Sequence, residues 1–439
     1  MLKRKVYSEL LKWKASNTQK CLVLKGARQV GKTYIVREFG RNEYESFVEI
    51  DFLRQPEMKD IFSGDLTSTE ILKRMSVYLP DYKLVPGSTL ILLDEIQCCA
   101  NARASLKYLA QDNRVNVIAS GSLLGLKLGQ DADEHVEQIP SVPVGYEQPL
   151  MMYSLDFEEY LWAMGFDEGA IAYLQEFYEA KAKVPNAIND KYIQLVCEFM
   201  VVGGMPEVVQ SFATNHDFNE VQRKQEQLME GYKEDIAQHA KRTERIKVTR
   251  CFDSIPAQLA RENKKFKYSE VEKKATARKF GESIQWLIDA NMVLPCYNVS
   301  TPQLPLRYNY KENEFKLYMH DTGLLMSQYG IETKRALLNG TLKGAGKGGI
   351  FENFVAESLM KKGYKLFYYK PNENSEIEFL IEKYGEIIPV EVKAGNTATK
   401  SLNGFIDTYR PCVAYKIIKG NVGKMDSKLS IPHYMALFL

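Results

Sequence analysis

Gly26-Ala27-Arg28-Gln29-Val30-Gly31-Lys32-Thr33 places two glycines with four residues between them directly before Lys-Thr, the spacing of a phosphate-cradling loop. The apolar run Cys21-Leu22-Val23-Leu24 precedes it and reads as a buried strand; Tyr34 to Phe39 follows as the first turns of a helix ending at Gly40. That strand–loop–helix setting is what the motif requires. Gly26 and Gly31 let the backbone bend so that several amide N–H groups face one anion, and the helix N-terminus adds its positive dipole end. Ala27, Arg28, Gln29 and Val30 complete the loop. Lys32 is expected to reach the β- and γ-phosphates of ATP, and the Thr33 hydroxyl to ligate Mg²⁺. A glycine-containing turn with a chance Lys-Thr pair is the bland competitor, and a second motif counts against it.

That motif is Thr89-Leu90-Ile91-Leu92-Leu93-Asp94-Glu95-Ile96-Gln97. Four apolar residues ending in two carboxylates describe a buried parallel strand with acids at its C-terminal tip, the edge where open α/β sheets bind ligands. Asp94 would belong to the Mg²⁺ shell and Glu95 would polarise the attacking water. Ordinary strands also end in acids; the position downstream of a phosphate loop favours the nucleotide reading. Between the motifs, Phe47 to Phe52 reads as a strand and residues 68–79 as a helix. A further strand, Val115 to Ser120, leads into Gly121-Ser122-Leu123-Leu124. Ser120 and Ser122 are candidate γ-phosphate sensors, Ser122 equally a helix N-cap. An acidic loop, Gln130 to Glu134, follows, then Val142-Pro143-Val144-Gly145-Tyr146 and a helix opening at Ser154.

The length of 439 residues implies two or three domains. Hydrophobic content of 45% and charged content of 26% describe an ordinary globular protein, and a net charge of +2 neither demands nor excludes nucleic acid. No apolar run approaches the ~20 residues that span a bilayer, so no membrane partner is expected. Met1-Leu2-Lys3-Arg4-Lys5 opens like a signal peptide, but Tyr7-Ser8-Glu9 and Trp13-Lys14 stand where an apolar stretch belongs. Seven cysteines without a CxxC pair suggest reduced thiols in a cytoplasm, and five histidines without zinc-ligand spacing argue against a zinc site.

The ordered series of these motifs resembles the bacterial and archaeal AAA-type ATPases that carry a C-terminal domain of uncharacterised function. Gly203-Gly204-Met205-Pro206-Glu207-Val208-Val209, Tyr232 to Ile236, Lys316 to Leu324 and Gly349-Ile350-Phe351-Glu352-Asn353 extend the resemblance over nearly the whole chain. It implies an ATP- and Mg²⁺-dependent protein. One position departs: the family's Val-Gly-Arg is Val144-Gly145-Tyr146 here, and no arginine occurs between Arg114 and Arg223. Arginine fingers contribute roughly 10³–10⁵ in rate. If the family arginine is one, Lys127, Arg223 or a partner must replace it, or the protein is a nucleotide-gated switch. Alternatively that arginine only holds a turn.

Residues 160–240 are helical in pattern, broken at Gly203-Gly204-Met205-Pro206, and are expected as a lid on the nucleotide domain. Residues 245–310 suggest a winged helix: helices over Ile246 to Leu259, Tyr268 to Glu272 and Ala277 to Asn291, then strands Met292 to Tyr297 and Leu306 to Tyr310 as the wing. Arg261, Lys264, Lys265, Lys267, Lys273, Lys274, Arg278 and Lys279 gather there. Such a surface makes double-stranded DNA a candidate partner, although Glu262, Glu270, Glu272 and Glu282 dilute it.

The C-terminal stretch returns to α/β character: a helix Phe351 to Lys361 with Glu352 near its start, and strands Lys365 to Tyr369, Glu376 to Ile381 and Ile387 to Lys393. Glu378 followed by Glu391-Val392-Lys393 resembles the acid and Glu-x-Lys signature of restriction-endonuclease-like nucleases. The resemblance implies a second Mg²⁺ site at Glu378 and Glu391, with Lys393 orienting water and Glu352 as an extra acid. Glu378 stands where that pattern prefers Asp, which puts cleavage rather than fold in question.

The expected architecture is α/β: a P-loop NTPase domain over residues 1–155 with a parallel sheet, a helical lid over 156–244, a winged-helix domain over 245–325, and a smaller nuclease-like α/β domain over 326–439. The expected function is an ATPase whose nucleotide state controls the C-terminal half. A non-hydrolysing switch and a nuclease licensed by ATP are its rivals. A homo-oligomer or protein partner is left open.

Overall fold

The computed structural model describes residues 2–16, 18–122, 145–395 and 399–439. Lys127, the acidic loop Gln130 to Glu134 and Val142-Pro143-Val144 lie outside the described residues. By contacts the chain divides into two compact units, one of residues 4–154 with 289–291, the other of 1–3, 155–288 and 292–439.

In the first unit, helix α1 (Lys5–Ala15) buries Val6, Leu10 and Trp13. It is followed by β1 (Cys21–Gly26), α2 (Lys32–Glu43), β2 (Ser46–Asp51), a 3₁₀ turn at Pro56–Phe62, α3 (Ser68–Tyr78), β3 (Thr89–Asp94), α4 (Ala100–Ala110), β4 (Asn116–Ser122) and β5 (Glu147–Met151). The five strands pair in parallel in the order β2-β3-β4-β1-β5. Strict alternation sends Cys21, Val23, Ile91, Leu93, Val117 and Ala119 into one core and Leu22, Leu24, Leu90, Leu92 and Ile118 into another. All six residues of β3 are consequently buried, as expected of a parallel strand covered on both faces. Crossovers in such a sheet carry the chain back between strands, so the loops after β1 and β3 share one edge.

β5 is not foreseen by the sequence reading. Its polar, proline-containing stretch carries little strand signal; pairing with β1 from Cys21↔Glu147 to Lys25↔Met151 decides it. Helix α2 runs through Gly40 to Glu43, where a Cβ on Gly40 would strike the Phe47 ring.

The second unit begins with helices α5 (Phe157–Ala163), α6 (Glu168–Ala180), α7 (Asn186–Val202), α8 (Pro206–Asn215) and α9 (Phe218–His239). The start of α5 lies at Asp156 rather than Ser154: Asp156 and Glu159 form a reciprocal capping box. After α10 (Arg245–Leu259), a 3₁₀ turn at Tyr268–Glu270 and α11 (Ala277–Asp289) come β6 (Val293–Val299) and β7 (Tyr310–Met319). The expected wing strand Leu306 to Tyr310 is instead a 3₁₀ turn at Leu306–Tyr308. Its Leu306 side chain enters the core, and its amide donates to Glu382 at 2.6 Å.

Then follow α12 (Thr322–Tyr329), α13 (Ile331–Leu338), α14 (Ala345–Lys361), β8 (Leu366–Asn372), β9 (Ser375–Lys383), β10 (Glu386–Val392), α15 (Lys400–Tyr409), β11 (Ala414–Ile418), β12 (Gly423–Met425) and β13 (Lys428–Pro432). One sheet of eight strands, in the order β12-β13-β11-β10-β9-β8-β6-β7, takes in the whole set from β6 on. The limit expected at 325/326 therefore cuts a single sheet, because β6 pairs in parallel with β8. Helices α5 to α9, expected as a lid, share their contacts with this unit. At one crossing Gly203, at φ +75°, meets Gly323 so closely that a Cβ on either would overlap the other's backbone. Asp321 seals the crossing by accepting the Gly204 and Leu324 amides at 2.8 and 3.1 Å.

Candidate functional sites

The phosphate loop joins β1 to α2 at the C-terminal edge of the first sheet. Gly31 takes φ +94° as the residue before α2, a conformation that favours glycine. Gly26 is needed for a different reason: a Cβ there would lie 2.2 Å from the Met152 carbonyl oxygen. Lys32 folds back over the loop, donating to the Gly26 and Ala27 carbonyls at 3.1 and 2.8 Å. Burial pulls its pKa down, opposed by the charges of Glu95 and Asp94 and reinforced by Arg28. Ala27 and Val30 are core residues. Gln29 is exposed and left-handed, at φ +61°.

At the tip of β3, Asp94 accepts from the Thr33 hydroxyl at 2.7 Å on one oxygen and from the Ser120 hydroxyl on the other. Three elements thus converge on one carboxylate. Thr33 and Asp94 are hard oxygen donors side by side, the donor set that suits Mg²⁺. Glu95 turns left-handed, at φ +51°, and opens a 3₁₀ turn at Ile96–Cys98. Its carboxylate accepts from the side-chain amide of Gln97. The sequence reading quoted Gln97 without a role; its i+2 spacing across a tight turn was the available signal. Behind the loop, Arg37 grips Glu49 through two bonds of 2.7 and 2.6 Å.

Tyr146 sits at the opposite edge. Its carbonyl accepts from the Cys21 amide at 2.9 Å, and its hydroxyl accepts from Gln111 at 3.2 Å.

In the second unit Glu378 and Glu391 both meet the Lys393 ammonium, at 2.8 and 3.2 Å. The Val392 amide also donates to Glu378 at 3.2 Å. Burial raises both carboxyls, Glu378 to about 7 against the pull of Lys393. Glu391 Oε2 is buried with no hydrogen-bond partner among the described residues.

Glu352 lies elsewhere in the pattern. Helix α14 starts at Ala345, so Glu352 is mid-helix, not near the start. The glycines hid this extension; Gly349 is there because a Cβ would come 2.2 Å from the Leu259 carbonyl. Glu352 is held by Lys264 at 3.0 Å, Lys316 at 3.4 Å and the Tyr318 hydroxyl at 3.2 Å. Burial would raise its carboxyl, but Lys316 and Lys264 overcome this and hold it at about 2. Lys316 also meets Glu376, which faces Lys370 at 3.7 Å.

Four lysines therefore balance four glutamates. Among the described residues no group of three or more His, Cys, Asp or Glu side chains is placed to hold a metal ion. At the second Mg²⁺ site expected at Glu378, Glu391 and Glu352, ammonium groups sit on the carboxylates, Lys393 on the first two and Lys264 and Lys316 on the third. Lys264, read as part of a DNA-facing patch, is buried in this network. Arg261 and Lys265 are tied to Glu270 and Glu314. Lys273 and Lys274 before α11, and Arg278 and Lys279 in its first turn, remain exposed.

Among the described residues no helix is long and apolar enough to cross a membrane. Comparison with known proteins matches residues 18–161 to the AAA domain family. Residues 193–335 and 347–428 match two domains of unknown function, DUF8612 and DUF4143. No curated protein matches the chain. Among solved structures, a Walker-type ATPase of Pyrococcus abyssi is 15% identical, with 75% of this chain and 96% of that one covered at a TM-score of 0.46. Drosophila ORC bound to DNA is 12% identical, with 74% and 85% covered at 0.25. The loop geometry and the match over residues 18–161 agree on a P-loop fold, and that stretch is similar to the AAA domain family.

Proposed function

We propose that the protein hydrolyses ATP with Mg²⁺ and uses its nucleotide state to control the second unit. The observation that carries this reading is the Thr33–Asp94–Ser120 convergence beside Lys32 and Glu95. Lys32 and the loop amides would hold the phosphates, Thr33 and Asp94 the metal shell, and Ser120 would register the γ-phosphate. Mg²⁺ would supply Lewis-acid charge stabilisation; Glu95 would take the proton of the attacking water. The test is Mg²⁺-dependent turnover of wild type beside Lys32→Ala and Glu95→Gln, with and without double-stranded DNA. Turnover that requires both residues supports the reading. Tight ATP binding without turnover would leave the nucleotide-gated switch.

For the second unit we read a nuclease-like fold that engages DNA rather than cutting it. The order α14, β8, β9, β10, α15, β11 supports the fold, and the exposed Lys273, Lys274, Arg278 and Lys279 on a winged-helix-like element support phosphate contact. The balance of four lysines against four glutamates argues against metal-dependent cleavage. Removing those four exposed cations should flatten the salt dependence of DNA binding; an unchanged slope would reject the surface. A cytoplasmic location fits seven free cysteines.

A further inference from the structure

Gln97 carries a hydrogen-bonding pattern that the nucleotide reading has not used. Its backbone is fixed in the 3₁₀ turn Ile96–Cys98, because the Ile96 side chain is buried in the core and the Cys98 amide donates to the Glu95 carbonyl at 2.9 Å. Its side-chain amide nitrogen donates to Glu95 Oε2. An ionised carboxylate only accepts, so this bond fixes which end of the amide faces Glu95. The carbonyl end, Oε1, is buried and has no hydrogen-bond partner among the described residues. Leaving a buried acceptor unmatched costs about 1–3 kcal/mol, and a group in that condition beside a reactive carboxylate is suited to a ligand that donates.

The reaction proposed for this site supplies such a donor. A water molecule attacking the γ-phosphorus carries two hydrogens, and Glu95 has use for only one. We propose that Gln97 is a positioning residue for ATP hydrolysis: its amide nitrogen holds Glu95, and its Oε1 accepts the second hydrogen of the attacking water. This inference rests on the ATPase reading above. In the step, the water oxygen bonds to the γ-phosphorus while the bond from that phosphorus to the β–γ bridging oxygen breaks. The electron pair leaves on ADP, one water proton passes to the Glu95 carboxylate, and the other hydrogen stays on the phosphate product. Gln97 exchanges no proton. Its contribution is to fix the water's orientation and Glu95's rotamer together, through one rigid planar group whose two ends have opposite hydrogen-bonding character.

A glutamine that only fills space would be replaced without loss by methionine, which has similar length and no such donor or acceptor pair. The experiment compares wild type, Glu95→Gln, Gln97→Ala, Gln97→Met and Gln97→Glu, measuring kcat, the pH dependence of kcat, and the Kd of a fluorescent ATP analogue with Mg²⁺. Gln97→Ala and Gln97→Met should both lower kcat about tenfold or more while Kd stays within about twofold of wild type. Gln97→Glu places a second carboxylate against Glu95, which disfavours ionising both. The acid limb of its kcat profile should therefore move up by about one pH unit. Wild-type kcat in Gln97→Met, or an acid limb in Gln97→Glu that stays where wild type has it, overturns the proposal while the ATPase reading stands. A wild type that binds the analogue yet shows no Glu95-dependent turnover fails the ATPase reading, and the role of Gln97 falls with it.

Discussion

The Cys21 amide donates to the Tyr146 carbonyl across 2.9 Å, which pins residue 146 to the start of β1, whereas the phosphate loop leaves β1 at its other end. Six residues at about 3.3 Å each separate the two edges by roughly 20 Å. No side chain at position 146 spans that distance to a nucleotide in the same chain. The departure from Val-Gly-Arg thus has no bearing on charge supplied within one subunit. Tyr146→Arg should leave kcat of the dilute protein within about twofold of wild type. A rate that rises with protein concentration only in the arginine variant would instead locate that position in a neighbour's site.

Lys334 and Lys316 are both buried, yet their surroundings push them in opposite directions. Burial lowers Lys316, but Glu376 and Glu352 more than restore it, and its pKa rises. Lys334 bonds to the neutral Gln225 Oε1; burial pulls it to about 7, against the distant help of Glu226. Between that value and the ordinary lysine range the unfolded chain holds a proton that the folded chain has released, so stability rises with pH across this window. Lys334→Met abolishes that component. Urea midpoints at pH 7 and pH 9.5 should rise more for wild type than for the variant; parallel changes would refute the assignment.

The Lys393 ammonium is the shared countercharge of Glu378 and Glu391. Lys393→Met strands two buried carboxylates, and breaking such a pair costs about 3–5 kcal/mol. The loss should be largest at pH 8. A carboxyl whose folded pKa is raised binds its proton more tightly in the folded state, so its stabilising contribution is present below the unfolded pKa and is lost as pH rises through the folded value near 7. The variant should recover part of its stability at pH 5, measured by chemical denaturation. A deficit that does not depend on pH would mean that Lys393 acts through packing alone.

How much was legible in the sequence depended on the reach of each interaction. The phosphate loop, the strand ending in Asp94 and Glu95, and Ser120 on its neighbour were readable because each is a local pattern placed by parallel-strand geometry. What failed was long-range. β5 exists through its pairing with β1, more than a hundred residues away, and β6 joins β8 across a gap that no periodicity marks. Lys264 looked like a surface cation because its partner, Glu352, lies 88 positions on. Gln97 was overlooked for the converse reason: its partner is so close that the tight turn between them must be known first.

At the crossing of Gly203 and Gly323 two backbones of the second unit meet directly. A Cβ on Gly323 would lie 2.5 Å from the Gly203 Cα and 2.6 Å from the Val202 carbonyl oxygen; one on Gly203 would lie 2.3 Å from Asp321 Oδ1. These neighbours are backbone or a carboxylate already committed to two amides, so none can yield as a flexible side-chain tip would. Gly203 bears the added strain of its positive φ. Either Gly203→Ala or Gly323→Ala should destabilise the protein by about 3 kcal/mol or more. Because both act at one contact, the double variant should lose clearly less than the sum of the two. Denaturation of the three variants decides it: additive losses would show that the two glycines serve separate constraints and that the helices around Gly203 do not depend on Asp321-Thr322-Gly323 for their placement.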